Sequence, residues 1–176
     1  MKGAMMQNRI LVAYATRMGS TATVAETIAE VLRDQGAQVD VQPVGKVRSL
    51  AGYTSAIIGS AIRAGRLMPE VVSFVRKHEA ELSRMSVAYF VVCLTMANDT
   101  EENRCTVAAY LDDLRAKTPS VKPVDVGLFP GVMDSSRLPF LLRLIIRAMK
   151  SPEGDFRDWD AVREWAARIA PALSGK

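Results

Sequence analysis

The chain is 176 residues long, 49% hydrophobic and 24% charged, which is enough apolar content to bury a sizeable core and too much for a disordered or fibrous chain. Its 23 Lys and Arg against 19 Asp and Glu give a formal net charge of +4, a mild excess that favours anionic ligands; no aromatic interleaving or recognition motif accompanies it, so nucleic acid is not an expected partner. One histidine excludes a multi-histidine metal site, the two cysteines have neither metal-ligand spacing nor a disulfide framework, and Met1 to Asn8 lacks a signal-peptide core, so a reduced, cytoplasmic protein with no metal is expected.

No internal repeat or linker divides the chain, and a single domain over residues 9–174 is expected behind a flexible N-terminus, residues 1–8. Arg9 to Ala15, RILVAYA, reads as a buried strand that ends in the polar loop TRMGST. From Ser20 the apolar residues fall at helical spacing, with Val24, Ile28, Val31 and Leu32 on one face, until Gly36 stops the helix. Ala37 to Val41 gives a second strand, and Tyr53 to Ser60 a third that ends in a small-residue loop, Ala61 to Leu67. Pro69 opens a helix to about Leu82, proline being favoured in a first helical turn.

Ser86 to Leu94, SVAYFVVCL, is the longest apolar run and reads as a central strand buried on both faces, followed by a third loop, Thr95 to Asp99. Thr100 to Lys117 is helical in composition, Val121 to Leu128 gives a fifth strand, and Trp159 to Leu173 a last helix. Strands alternating with helices at this pitch imply an α/β fold, a parallel sheet covered on both faces. Ligands of such sheets bind outside the carboxyl ends of the strands, which turns attention to the three loops. His78, in FVRKHEAEL, is expected to be solvated or to cap a helix, with no catalytic part.

In TRMGST, hydroxyls at Thr16, Ser20 and Thr21 surround Gly19, whose missing side chain lets backbone approach a ligand, and the loop feeds a helix N-terminus that favours an anion. There is no GxxxxGK[ST] and no GxGxxG, so a mononucleotide phosphate fits better than a nucleotide-hydrolysing or dinucleotide site. Thr-x-x-Gly-x-Thr at the end of the first strand, leading into a helix with Ala25 and Ala29, is similar to the FMN-phosphate signature of flavodoxins. The resemblance covers nearly the whole chain. It implies a flavodoxin-like three-layer fold, a five-stranded parallel sheet of order 2-1-3-4-5, and noncovalent FMN across the three loops.

The residues that the resemblance assigns to FMN are Thr16, Arg17, Met18, Gly19, Ser20 and Thr21, then Ser60, Ala61, Ile62, Arg63 and Gly65, then Leu94, Thr95, Met96, Ala97 and Asn98. Flavodoxins commonly sandwich the flavin between aromatics; here the second and third loops contain no Trp, Tyr or Phe, which leaves Ile62, Leu67 and Met96 to pack on the ring.

Within the family the chain most resembles the flavodoxin-type, menaquinone-dependent protoporphyrinogen oxidases. The phosphate loop, GSAIRAGRL with FVRKH, RLPFLLRLIIRAMKS, and DWDAVREWAARIA carry that likeness. It implies an FMN-dependent oxidoreductase that passes electrons from a porphyrinogen to a quinone in haem biosynthesis. Arg63 and Arg66, beside the expected flavin loop, are candidates to attract substrate propionates or to stabilise charge on reduced flavin, because arginine donates two hydrogen bonds to a carboxylate. A flavodoxin-type electron carrier and an NAD(P)H:quinone oxidoreductase of the same fold are the alternatives.

Residues 137–151 are expected to add a helix. Arg143, Arg147 and Lys150 share one narrow side, and Leu138, Phe140, Leu141, Leu142, Leu144, Ile145, Ile146 and Met149 fill the wide remainder. Such a surface must be covered, either by the protein or a homo-oligomer partner, or by the headgroup region of an anionic membrane touched peripherally through Arg137 to Lys150.

Overall fold

The computed structural model describes residues 8–148 and 153–174. Of residues 1–8, expected as a flexible N-terminus, Met1 to Gln7 lie outside the described residues, as do Met149, Lys150 and Ser151, expected at the end of the basic helix, whereas Asn8 accepts from the Gln38 N–H at 2.9 Å and the Thr54 hydroxyl at 3.1 Å. In chain order, strand β1 (Arg9–Ala15) leads to helix α1 (Ser20–Asp34), β2 (Gln38–Pro43), β3 (Ser55–Arg63), β4 (Arg66–Leu67), α2 (Pro69–Lys77) and α3 (Glu79–Leu82). There follow β5 (Ser86–Cys93), α4 (Glu101–Ala109), α5 (Asp112–Lys117), β6 (Val126–Pro130), β7 (Val132–Met133), α6 (Phe140–Ala148), β8 (Gly154–Asp155) and α7 (Trp159–Leu173).

The main sheet runs β2-β1-β3-β5-β6, and every neighbouring pair on that path is parallel. Counted among the parallel strands alone, this is the expected order 2-1-3-4-5. Two features add to it: β4 folds back antiparallel on β3, and β7 pairs antiparallel with β8 in a sheet of its own.

Each face of the sheet is closed by helices whose apolar stripes match it. Val24, Ala25, Ile28 and Leu32 of α1 pack with Val162, Trp165, Ala166 and Ile169 of α7 against one face. Val71, Phe74 and Val75 of α2, with Val107, Leu111 and Leu114, close the other. Burial of each large aliphatic side chain contributes about 1.5–3 kcal/mol, so these stripes fix the layer order. In the centre, Gly59 of β3 leaves room for the Phe90 ring, which a Cβ would approach to 2.0 Å. Phe90 sits with Phe129 and Trp165 in a cluster with centroids 5.5–6.5 Å apart, near the spacing that favours tilted aromatic pairs.

The structure departs from the sequence reading in four places. Ala61 to Leu67 is not a loop: β3 runs on through Arg63, and a two-residue turn returns the chain as β4. The helix from Pro69 is interrupted at His78, whose ring is only 6% exposed; it lies 4.9 Å from the Phe74 ring, with Nδ1 2.6 Å from Glu81 Oε2. His78 is therefore buried rather than solvated, and it caps both helices, the other role expected of it. The helix from Thr100 tightens at Tyr110 and Leu111, where N–H groups bond the carbonyls of Val107 and Ala108, three residues back. The last parallel strand starts at Val126, downstream of Pro123, a residue that cannot donate to a ladder. Among the described residues, no helix is long and apolar enough to cross a membrane.

Candidate functional site

The parallel strands deliver the ends of β1, β3, β5 and β6 to one edge of the sheet, and the functional residues gather there. The first loop is ordered by its own polar groups: the Gly19 N–H donates to Thr16 Oγ1 at 3.0 Å, and Gly19 takes φ +91°, a left-handed conformation that glycine adopts without a Cβ penalty. Gly19 caps α1 without offering a side chain. The first helical bond runs from the Thr23 N–H to Gly19 O, so the N–H groups of Ser20, Thr21 and Ala22 have no acceptor within the helix. Thr21 Oγ1, fully buried in the same turn, has no partner among the described residues. Free donors at the positive end of a helix dipole suit a phosphate.

The second segment is a hairpin tip. Ile62 pairs with Leu67 and Arg63 with Arg66, and the turn residues Ala64 and Gly65 both take positive φ, 48° and 71°. Positive φ costs alanine roughly 1–2 kcal/mol, a strain stored beside the site. Ser60 ties down the base of the hairpin: its hydroxyl donates to Ala61 O at 2.7 Å and accepts from the Met68 N–H at 2.9 Å. That hydroxyl serves the backbone. Arg63 and Arg66 stand directly opposite each other, and no carboxylate pairs with either among the described residues.

The third segment is a 3-10 turn, Leu94–Ala97, held by Asn103 Nδ2, which donates to Thr95 O at 3.2 Å and to Asn98 O at 2.7 Å. Met96 is 4% exposed and belongs to the core, as does Leu67 at 7%, so neither is presented as a ring platform; Ile62 alone of the three expected residues lines the cleft. At the next residues, Arg104 grips Asp99 with two hydrogen bonds, and these hold the Asp99 carboxyl below the usual range.

Between the three segments lies a cleft of about 800 Å³. Arg17, Met18 and Ser20 line it from the first loop, Ala61, Ile62 and Arg63 from the hairpin, and Leu94 from the third. Thr16 and Thr21 shape the loop from beneath, and Gly19 borders an adjoining pocket of about 240 Å³. Gly65 and Arg66 face a separate groove with Tyr110 and Lys117, on the outer side of the hairpin. Thr95, Ala97 and Asn98 form the turn rather than the lining. Cys93 lies in the wall, and burial pushes its thiol pKa up, so the thiolate is disfavoured.

The rest of the lining comes from segments that the sequence reading did not assign to the site. Gly131 to Asp134 follow the last parallel strand, and Leu138, Leu142 and Ile146 roof the cleft from the inserted segment. That segment leaves and returns through a narrow neck, with Val132 paired to Asp155 and Met133 to Gly154. Arg157, just past the neck, borders the small pocket with Gly19, Ser20 and Thr23. The rule that every parallel strand ends at the site points to Gly131; no local motif marks Arg157.

A family model described as a flavodoxin domain matches residues 11–160. The protoporphyrinogen IX dehydrogenase [quinone] of Leishmania major is 32% identical over 174 residues, which cover 92% of this chain and 74% of that protein. The protein of the same name from Escherichia coli K12 is 27% identical, covering 92% and 94%. An NAD(P)H dehydrogenase (quinone) of Afipia carboxidovorans matches 38% of the chain at 28% identity. Among solved structures, oxidised flavodoxin 2 of Bacillus cereus superposes with a TM-score of 0.58 at 20% identity, over 94% of this chain and 97% of that one. An archaeal flavodoxin gives the same TM-score at 14% identity.

Proposed function

Since this chain belongs to the flavodoxin family, we propose that it is an FMN-dependent oxidoreductase that moves reducing equivalents from a porphyrinogen to a quinone. The observation that carries the reading is the likeness, over 92% of this chain, to two proteins named protoporphyrinogen IX dehydrogenase [quinone]. The cleft of about 800 Å³ beside an anion-ready helix terminus is consistent with it.

The residues present fit FMN. The Ser20, Thr21 and Ala22 N–H groups and the unpartnered Thr21 hydroxyl suit its phosphate, and Ala61, Ile62, Arg63 and Leu94 offer backbone and apolar surface to its ring. When bound, FMN supplies two-electron chemistry, accepting hydride equivalents from a reduced substrate and releasing electrons to an acceptor.

The chain's own residues bind and orient. Arg63 lines the cleft and Arg66, its cross-strand partner, the neighbouring groove, so the hairpin tip carries two like charges that an anion bound beside it would offset. Planar guanidinium groups grip carboxylates through two hydrogen bonds, so the pair is assigned to the propionates of a tetrapyrrole. Leu138, Leu142 and Ile146 line the cleft with apolar surface suited to a quinone. Phe140, Leu141, Leu144 and Ile145 of α6 stay exposed beside Arg143 and Arg147, a combination assigned to peripheral contact with an anionic membrane that holds the quinone.

The test is oxidation of protoporphyrinogen by the yellow, FMN-loaded protein with a quinone as acceptor. Turnover is expected, and replacing both Arg63 and Arg66 by Gln should raise KM for the porphyrinogen at least tenfold, by loss of charged hydrogen bonds. A colourless protein that does not take up FMN overturns the reading. The likeness to NAD(P)H dehydrogenases favours a second reading, an NAD(P)H:quinone oxidoreductase, and direct NAD(P)H oxidation without porphyrinogen turnover selects it. Reduction by a flavodoxin reductase with neither activity selects an electron carrier.

A further inference from the structure

The guanidinium of Arg157 lies at a place where a helix ordinarily disfavours a cation. Its Nη1 donates to Thr23 Oγ1 at 2.7 Å, and Thr23 Oγ1 donates in turn to Ser20 O at 2.9 Å, so the positive charge is one hydroxyl away from the first turn of α1. Helix N-termini carry partial positive charge and are stabilised by anions, not cations. The same turn holds three N–H groups without helical acceptors and the fully buried, unpartnered Thr21 hydroxyl. A cation added to such a cluster makes physical sense if an anion completes it.

Arg157 is also held in place. Asp155 accepts from Nε at 2.8 Å and from Nη2, and the guanidinium lies 4.7 Å from the centre of the Trp159 ring. Its side chain is 19% exposed and borders the pocket of about 240 Å³ shared with Gly19, Ser20 and Thr23. Asp134 borders that pocket too, with its carboxylate turned to the Ser136 N–H at 3.0 Å and to the Ser136 hydroxyl. Asp155 belongs to the neck, paired with Val132, so Arg157 touches the helix and the inserted segment at once.

We propose that Arg157 is the cation of the phosphate site: it selects a phosphorylated flavin over an unphosphorylated one and, through Asp155, ties the bound phosphate to the neck of the inserted segment. The proposal rests on the flavodoxin reading of the loop. Arginine suits the task because its remaining donors can face a phosphate while its fork holds a carboxylate.

The experiment is titration of flavin-free protein with FMN and with riboflavin, read by quenching of flavin fluorescence. Arg157→Gln is expected to weaken FMN roughly 10- to 100-fold, the factor for one charged hydrogen bond, and to leave riboflavin unchanged. Asp155→Asn frees the guanidinium from its carboxylate and is expected to raise the preference for FMN over riboflavin. In hydrogen exchange, FMN but not riboflavin should protect the neck amides of Met133 and Asp155 in the wild type, and Arg157→Gln should abolish the difference. Equal losses for both flavins, or none, overturn the proposal. Should Arg157→Gln fail to fold, an unchanged FMN preference in Asp155→Asn overturns it. Wild-type protein that binds both flavins equally overturns it alone, whereas wild-type protein that binds neither overturns the cofactor reading as well.

Discussion

Tyr89 shows how a single side chain can work against the fold that contains it. It is 2% exposed in the central strand, its hydroxyl has no hydrogen-bond partner among the described residues, and burial pushes its pKa up to about 12. A buried hydroxyl without a partner costs about 1–3 kcal/mol, so Tyr89→Phe is expected to leave stability unchanged or raise it, read as an equal or higher urea midpoint. The sign of the pH effect follows from the raised pKa. The unfolded chain ionises this phenol near the ordinary value of 10 while the folded chain resists, so stability is intact below pH 10 and falls as pH rises toward 12. Alkaline unfolding followed by circular dichroism should therefore begin at higher pH in Tyr89→Phe. At this scale the sequence was legible where chemistry is local: Thr16, Gly19 and Thr21 lie within six residues of one another. Arg157 could not be read the same way, because its partner Thr23 is 134 positions away and only the fold brings them together.

Helix α6 was visible as an element before its surroundings were. The alternation of arginines with a wide apolar face announced a helix, but periodicity says nothing of what covers it. None of the described residues of α6 is buried, and Phe140 and Leu141 are 72% and 75% exposed while Leu142 and Ile146 roof the cleft. Phe140→Ser with Leu141→Ser is expected to change stability by no more than about 0.5 kcal/mol, as surface substitutions do. The same variant should bind vesicles containing anionic lipid at least tenfold more weakly, because each lost side chain removes apolar burial worth about 1.5–3 kcal/mol. Unchanged sedimentation with such vesicles would assign α6 to another partner. The hairpin gave the opposite result, since IRAGRL reads as a loop: Ala64-Gly65 is a weaker turn signal than Asn-Gly, and only the pairing of Ile62 with Leu67 reveals a strand. The break at His78 carries no Gly or Pro to mark it; the capping role expected of the residue was the only sign, and its ring lies buried beside Phe74.

For the molecule as a whole, the order of the parallel strands followed from the flavodoxin resemblance, and the alternation of apolar runs with helical stripes established the layers that embody it. That alternation also located the ligand edge, since every parallel strand ends on the same side. What it did not contain was the way the chain leaves this plan after Pro130 and comes back to it before Trp159. The neck brings Met133 and Gly154 into register as partners on adjacent strands, and the Phe156 N–H donates to Gly131 O at 3.1 Å. Residues 134–153 are therefore a cassette, entered and left through neighbouring positions, and their removal leaves ends that a two-residue turn can join. Replacing them with Asn-Gly is expected to give a folded protein that still takes up FMN but no longer binds vesicles or turns over porphyrinogen, measured by flavin content, sedimentation and assay. In evolutionary terms, a shuttle for electrons and an enzyme acting on a bulky ring would then be separated by a single excisable piece of coding sequence.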